Sequence, residues 1–393
     1  MISEAEARSR ILESIQPLPS RHVELGQALD CFAAEDYVAR IPLPAFDNSA
    51  MDGYAVIASS CVSAKQLRVT GEQPAGVDRS LRVAAGEAIR IFTGAPIPSG
   101  ADAIVMQEDV TRDGDNIVIN TEVVADDFIR RRGCDLTEGQ KILERGERVR
   151  PTTSALLASQ GFAELEVGGE VEAAIISTSD EIVRPGAETK PGQIYDSNTV
   201  LLDGLLQRLG VTARSVEHCP DEQEALTAAI KRGKSSRVLI ISGGVSVGER
   251  DLVRPVVQSL GGQINIWRVA VKPGKPFLFG SIGDCALFGL PGNPVSAFLT
   301  FLKFVRPAIL KMMGAGDDEL DLPRIAARLT ADLRNDGDRA HYFRGQLKSG
   351  SFVPIGRQES HALFGLSRSN ALLRLAPGEI LSAGASVQVE VWY

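Results

Sequence analysis

Long apolar runs are missing from this 393-residue chain. No stretch approaches ~18 consecutive apolar residues, so no transmembrane helix is expected. Cysteine is scarce. The five residues Cys31, Cys61, Cys134, Cys219 and Cys285 are odd in number, scattered, and form no CxxC pair. That argues against a disulfide framework and against a cysteine zinc site. Histidine is rarer still, with four residues and no HExxH pattern. A metal used here would be held by oxygen ligands or by a substrate. Aromatic residues make up only 5% of the chain, too few for the stacking platforms that bind single strands. Basic charge is also short, with 42 basic against 50 acidic residues and a net charge of −8. A nucleic-acid binder shows the opposite bias, so small-molecule or protein partners are expected. The first residues, MISEAEARSR, lack the apolar core of a signal peptide, which predicts a cytoplasmic protein.

What is present is ordinary for a soluble globular chain: 44% hydrophobic and 23% charged residues. The length predicts two to four domains at roughly 150 residues each. The 38 glycines and 20 prolines cluster in short dense loops.

Four textures follow one another. Helical spacing of Ala5, Ile11, Leu12 and Ile15 predicts a helix over 3–15, and a second is expected over 24–35. Residues 46–136 hold short alternating runs divided by Gly, Asp and Asn turns, which read as a β-rich insert. Residues 137–170 return to mixed structure, with a helix near 152–160 closed by Gly161, and resemble 1–45 in texture. These two stretches are expected to form one split N-terminal domain. Residues 171–318 alternate strand and helix. Strands are expected at Ala173–Thr178, Ala213–Glu217, Val238–Ser242 and Ile264–Val271, and helices at about 197–209, 221–232 and 252–260. That order predicts a doubly wound, largely parallel sheet whose ligands bind at the carboxyl ends of the strands. A long apolar helix is expected over 294–313. Residues 319–393 read as a small β-barrel or sandwich. The fold class is multidomain α/β.

Three loops of the α/β stretch carry chemistry. Strand Val238–Ser242 runs into Gly243-Gly244-Val245-Ser246-Val247-Gly248-Glu249-Arg250-Asp251 before a helix. Glycines let backbone N–H groups approach a phosphate, and Ser242 and Ser246 add hydroxyls. A glycine-rich turn serving only the fold is the alternative. Lys272-Pro273-Gly274-Lys275-Pro276 places two cations three residues apart on a stiff turn, suited to an oxyanion or pyrophosphate. Leu290-Pro291-Gly292-Asn293-Pro294 opens the long helix, with Asn293 as a cap; plain capping is its alternative. Glu181, just past the first strand, belongs at the same sheet edge. In the N-terminal half, Asp52, Asp102 and Asp135 stand in loops rich in turn residues and could hold Mg²⁺ or place a water. The arginine run 130–132 is either a solvated face or a contact for an acidic ligand.

Seven ordered motifs closely resemble one family, the molybdopterin molybdenumtransferases, relatives of the plant Cnx1 E domain and the gephyrin E domain. They are FDNSAMDGYAV (46–56), GEQPAG (71–76), RIFTGAPIPSGADAIVMQED (90–109), RRRGCD (130–135), SGGVSVGERD (242–251), KPGKPFLFG (272–280) and LPGNPVSAF (290–298). The resemblance implies an elongated homodimer of four-domain chains with an intersubunit active site, dimerisation by the split N-terminal domain, and a molybdopterin-binding fold for 171–318. The implied reaction is the last step of molybdenum cofactor biosynthesis. Molybdenum from molybdate enters the dithiolene of adenylylated molybdopterin, and Mg²⁺-dependent hydrolysis releases AMP. An upstream adenylyltransferase would supply the substrate, and molybdoenzymes would accept the product; no nucleic acid or membrane is involved. By motif, the catalytic set is Asp52, Thr93, Asp135, Glu181, Asp221, Asp251, Lys272 and Lys275, with Asp52, Asp135 and Asp251 as Mg²⁺ candidates. Ser242, Gly243, Gly244, Ser246 and Gly248 would cradle the phosphate and pterin side, beside Pro291, Gly292 and Asn293. Lys272 and Lys275 would meet molybdate or pyrophosphate, with Arg344 and Ser367 completing a molybdate pocket. Two positions depart from the family pattern. Ser179 replaces a glycine before Asp180-Glu181, and Cys134 replaces a carboxylate beside Asp135. A non-catalytic dimeric scaffold of the gephyrin type, a tungstate-loading paralogue and a nucleotide pyrophosphatase are the rival readings.

Overall fold

The computed structural model describes residues 1–393 except 62–64, 246–251 and 393. The chain divides into two compact units. Unit 1 contains Met1–Glu35, Arg145–Ser154 and Ala163–Tyr393, and unit 2 contains Asp36–Glu144 and Ala155–Phe162.

Unit 1 is organised by a six-stranded sheet. In spatial order its strands are Thr212–Cys219, Glu172–Thr178, Val238–Ser242, Cys285–Leu290, Leu278–Ile282 and Gln263–Trp267. The first four run parallel, and the last two are antiparallel additions. The central strand VLIIS is buried along its whole length, as expected where helices cover both faces. Alternation sorts its residues between two cores. Val238 and Ile240 pack with Leu202, Leu205 and Phe298 on one face. Leu239 and Ile241 pack with Leu226, Ile230 and Val256 on the other. Because all four parallel strands end at one edge, the loops after Thr178, Cys219, Ser242 and Leu290 converge there.

The expected single strand Ile264–Val271 is corrected to two pieces. Arg268 adopts φ +69°, which breaks the extended run. Gln263–Trp267 stays at the sheet edge, antiparallel, while Val271–Lys272 pairs with Ala340–Lys348. The hairpin made by Leu278–Ile282 and Cys285–Leu290 was not expected from sequence, since its near-continuous apolar text gives no alternation to read. The helix expected over 24–35 is also corrected. Only a single 3₁₀ turn, Leu25–Gln27, forms. Asp30 sits at φ +63°, and Phe32 and Ala33 are drawn into bridges with Arg148 and Val167. The other helices fall close to expectation: Glu4–Ser14, Pro151–Ser159, Asn198–Gln207, Gln223–Gly233 and Val253–Ser259. The long apolar helix is Pro294–Thr300 and Arg306–Met312, joined through a π-helical turn, Phe301–Val305.

Residues 324–391 close into a small barrel. Ala340–Lys348 pairs with both Ser351–Pro354 and Ala371–Leu375, and the ring is completed through Arg324–Leu329 and Ser386–Val391. Leu329, Phe343, Phe352, Leu373, Leu375 and Val389 fill it. Of the two β architectures expected, the barrel is the one present.

Unit 2 holds a second six-stranded sheet, in the order Ala103–Met106, Gly53–Val56, Glu87–Ile91, Gln66–Gln73, Asn116–Ile119, Val110–Asp113. Gly53 is required in its central strand, since a Cβ there would stand 2.0 Å from the Val105 carbonyl oxygen. This close pairing holds the preceding turn of the chain, and with it Asp52, against the sheet. Among the described residues no helix is long and apolar enough to cross a membrane.

Candidate functional site

In unit 1 the loops at the carboxyl edge of the parallel strands enclose a cleft of about 430 Å³. One wall is the glycine turn. Gly243 has φ +94°, and a Cβ on it would lie 2.3 Å from the Thr178 carbonyl oxygen, so only glycine lets the two strand ends meet this closely. Gly244 follows at φ +63°. Pro291, Gly292 and Asn293 form the neighbouring wall, and Pro276 borders the cleft directly after Lys275.

The carboxylates of this edge are tied to hydroxyls. Thr178 Oγ1 donates to Asp221 Oδ1 at 2.6 Å, and the Asp221 backbone N–H donates to Asp180 Oδ1 at 3.0 Å. The Ser179 hydroxyl donates to the Glu181 carboxylate. The serine that departs from the family pattern thus engages Glu181 directly, which a glycine cannot do. Asn293 does not cap its helix through its side chain; its Nδ2 donates to Ser360 Oγ at 2.9 Å instead. Ser246, Gly248 and Asp251 lie outside the described residues.

Lys272 and Lys275 are exposed and have no carboxylate partner among the described residues. Lys272 lies opposite His341 in the strand register, beside the barrel. His341 is buried, its Nε2 has no hydrogen-bond partner among the described residues, and it stacks on Phe343 at 4.0 Å between ring centroids. Burial, and then the charges of Lys272, Arg344 and Arg339, push its pKa down to about 4. Arg344 is 1% exposed. Its Nη2 donates to the carbonyls of Arg357 and Glu359, while Nε and Nη1 are buried without a partner among the described residues. An arginine with two buried, empty donors is suited to an oxyanion. Ser367 donates its hydroxyl to the Phe364 carbonyl at 2.8 Å.

Unit 2 carries a separate group. Asp52 Oδ1 accepts from the Thr93 backbone N–H at 2.8 Å and from Thr93 Oγ1 at 2.9 Å. These two bonds, aided by Arg90, hold the Asp52 carboxyl below its ordinary range. Its Oδ2 has no hydrogen-bond partner among the described residues. Asp135 is exposed, with its backbone N–H bound to the Leu43 carbonyl at 3.0 Å. The arginine run is partly spent internally, since Arg131 pairs with Asp47 at 2.6 Å and with Asp126. Among the described residues no group of three or more His, Cys, Asp or Glu side chains forms a metal cage. The single ionised carboxylates present are the donor class Mg²⁺ takes when substrate phosphates and water complete its shell.

Sequence reasoning missed four residues here. Thr178 and Asn198 line the cleft, and His341 and Arg339 join Lys272 and Arg344 in one basic cluster. For Asn198 the signal was present but ambiguous: Asp196-Ser197-Asn198 reads as capping text, and Asp196 does cap, accepting from the Thr199 N–H at 3.0 Å.

Three regions of the chain match known family models. Residues 2–161 match the model of the MoeA N-terminal region (domain I and II), 174–311 a probable molybdopterin binding domain, and 326–392 the MoeA C-terminal region (domain IV). The molybdopterin molybdenumtransferase of Haemophilus influenzae is 37% identical, covering 99% of this chain and 98% of that protein. Molybdopterin molybdenumtransferase 2 of Mycobacterium tuberculosis is 35% identical over 94% of each. The crystal structure of the molybdopterin biosynthesis moeA protein from Pyrococcus horikoshii OT3 superposes with a TM-score of 0.86 at 28% identity, covering both chains fully. The chain belongs to the molybdopterin molybdenumtransferase family.

Proposed function

We propose that the chain inserts molybdenum from molybdate into adenylylated molybdopterin, with hydrolysis of the adenylate to AMP. The coarser role, a transferase of molybdenum cofactor biosynthesis, follows from family membership. The observation that carries the finer reading is the cleft at the carboxyl ends of the parallel strands. Its lining includes the Gly243-Gly244 turn, the hydroxyl-bound carboxylates Glu181 and Asp221, and Pro276, which directly follows Lys275.

In this reading the backbone around Gly243 and Gly244 receives the phosphate oxygens, with Ser242 beside them. Lys272 and Lys275 attract molybdate, and the empty Nε and Nη1 of Arg344 donate to its oxygens. Asp221 and Glu181, held by Thr178 and Ser179, orient the phosphoanhydride and a water. Asp52 stays ionised through its bonds to Thr93 and places a second water or the metal. Asp52, Asp135 and Asp251 are the residues proposed to hold Mg²⁺, which when bound supplies positive charge against the phosphate oxygens. The dithiolene sulfurs of the substrate ligate molybdenum, so no protein thiolate or imidazole is needed. We propose a cytoplasmic homodimer whose active site draws on both subunits, fed by an adenylyltransferase and emptied by molybdoenzymes.

The test follows AMP release from adenylylated molybdopterin with Mg²⁺, in the presence and absence of molybdate. Molybdate-dependent release, with molybdenum in the pterin product, supports the proposal. Equal release without molybdate would assign a pyrophosphatase, and binding without turnover a scaffold.

A further inference from the structure

Asn198 opens the helix Asn198–Gln207 and is buried, 5% exposed. Chemistry fixes how its carboxamide is turned. The Gly292 carbonyl can only accept, so the atom 2.7 Å from it is Nδ2. The same Nδ2 donates to Ser242 Oγ at 2.9 Å, which uses its second hydrogen. Oδ1 occupies the other branch of the amide. It is buried and has no hydrogen-bond partner among the described residues. An empty buried acceptor is costly, and native structures hold few, so each asks for an occupant.

Its location suggests one. Asn198 stands in the wall shared by the cradle cleft and a smaller cleft of about 260 Å³. The smaller cleft is bordered by Ile182, Ile194 and Leu363, with Tyr195 and His361 beside them. Apolar walls and an unfilled amide acceptor, with the Asp196 carboxylate already bound by Thr199, suit a flat ring that carries an N–H on its edge. The cradle next door suits a phosphate, so a molecule with both parts can span the shared wall.

We propose that Asn198 is the residue that recognises the substrate's ring: a nitrogen heteroaromatic ring enters the smaller cleft and donates an N–H to Asn198 Oδ1, while its phosphate side lies in the glycine cradle. This rests on the function proposed above. The shared chemistry is a ring bearing an amino or lactam N–H, and the substrate offers two such rings, the pterin and the adenine. Through Nδ2 the same side chain positions Ser242, whose own hydroxyl hydrogen remains available for a ligand oxygen.

The test measures equilibrium binding to the full chain with two matched pairs of probes. AMP is compared with purine riboside 5′-monophosphate, which lacks the amino group. A pterin is compared with its N3-methyl, 2-dimethylamino form, which lacks both donors. One pair should differ roughly 3- to 10-fold on the unaltered protein, the range of one neutral hydrogen bond, and which pair differs identifies the ring. Asn198→Ala should abolish that difference. Asn198→Asp keeps an acceptor at Oδ1 and should retain it. Pyrophosphate, which has no ring, should lose less affinity than the responding ring probe in Asn198→Ala. The proposal is overturned if neither pair differs on the unaltered protein, a result that needs no variant to fold. It is also overturned if the difference survives in Asn198→Ala, or if pyrophosphate loses as much as the ring probe. AMP release by the unaltered protein separates the two failures. Molybdate-dependent turnover without ring discrimination sinks this inference alone, whereas absent turnover sinks the functional reading beneath it.

Discussion

Thr93 and Asp52 show how one pair of hydrogen bonds sets a working charge. The Thr93 N–H and hydroxyl both donate to Asp52 Oδ1, which lowers its pKa, so the carboxylate persists to lower pH than an unassisted aspartate. Thr93→Val keeps the backbone donor and removes the hydroxyl. The acid limb of the pH–rate profile should then move to higher pH, and an unmoved limb would remove Asp52 from the rate-determining ionisation. His341 makes the opposite statement about stability. Its folded pKa of about 4 lies below the unfolded value of about 6.5. Between these values the unfolded chain binds more protons, so folding should weaken as pH falls from about 6.5 toward about 4. His341→Gln should flatten that part of the curve in urea midpoints taken across pH. A slope identical to that of the parent would show that His341 titrates normally in the fold.

At the scale of elements, the π-helical turn Phe301–Val305 places Lys303 where a regular helix would carry it elsewhere. Lys303 Nζ bonds both oxygens of Glu390 at 3.0 Å, lies 3.6 Å from Glu4 and sits over the Tyr342 ring at 5.1 Å. It thereby links the first helix, the long helix and the barrel. Lys303→Met leaves two largely buried carboxylates with fewer partners and should cost about 3 kcal/mol in chemical denaturation. A change below 1 kcal/mol would mean that Arg324 and Arg374 suffice. No sequence period announces this turn, because its apolar residues continue the helical text unbroken. The same limit explains the other misses. Periodicity revealed Glu4–Ser14, which buries one face, and glycine density marked the turn at Gly243 and Gly244. It could not reveal the hairpin over 278–290, buried on both sides, nor the bridges of Phe32 and Ala33 to residues more than a hundred positions away. Asn198 was hidden for a related reason, since its partners Ser242 and Gly292 are distant in sequence and adjacent only across the sheet edge.

For the whole molecule, the decisive question is whether, in the proposed homodimer, the candidate groups of unit 2 and unit 1 act across subunits. On the proposed function, Asp52→Asn should inactivate through a group in unit 2, and Lys275→Ala through one in unit 1. Mixed and allowed to exchange subunits, the two inactive proteins should recover about a quarter of the original activity, because half the dimers are mixed and one of their two sites is intact. No recovery after verified exchange would confine each site to a single chain.

The return of the chain to unit 1 after residue 145 has a consequence in time. Strand Arg21–Glu24 pairs with Glu164–Val167, and Glu4 meets Tyr342 and Arg374. During synthesis at about 5–20 residues per second, the first helix therefore waits on the order of 20–80 s for its last partners to leave the ribosome. Ala7, Ile11 and Ile15 belong to a core whose members run to Leu372, so that core is complete only after the barrel strands emerge. The insert, by contrast, has all the strands of its own six-stranded sheet in hand once residue 119 has been made.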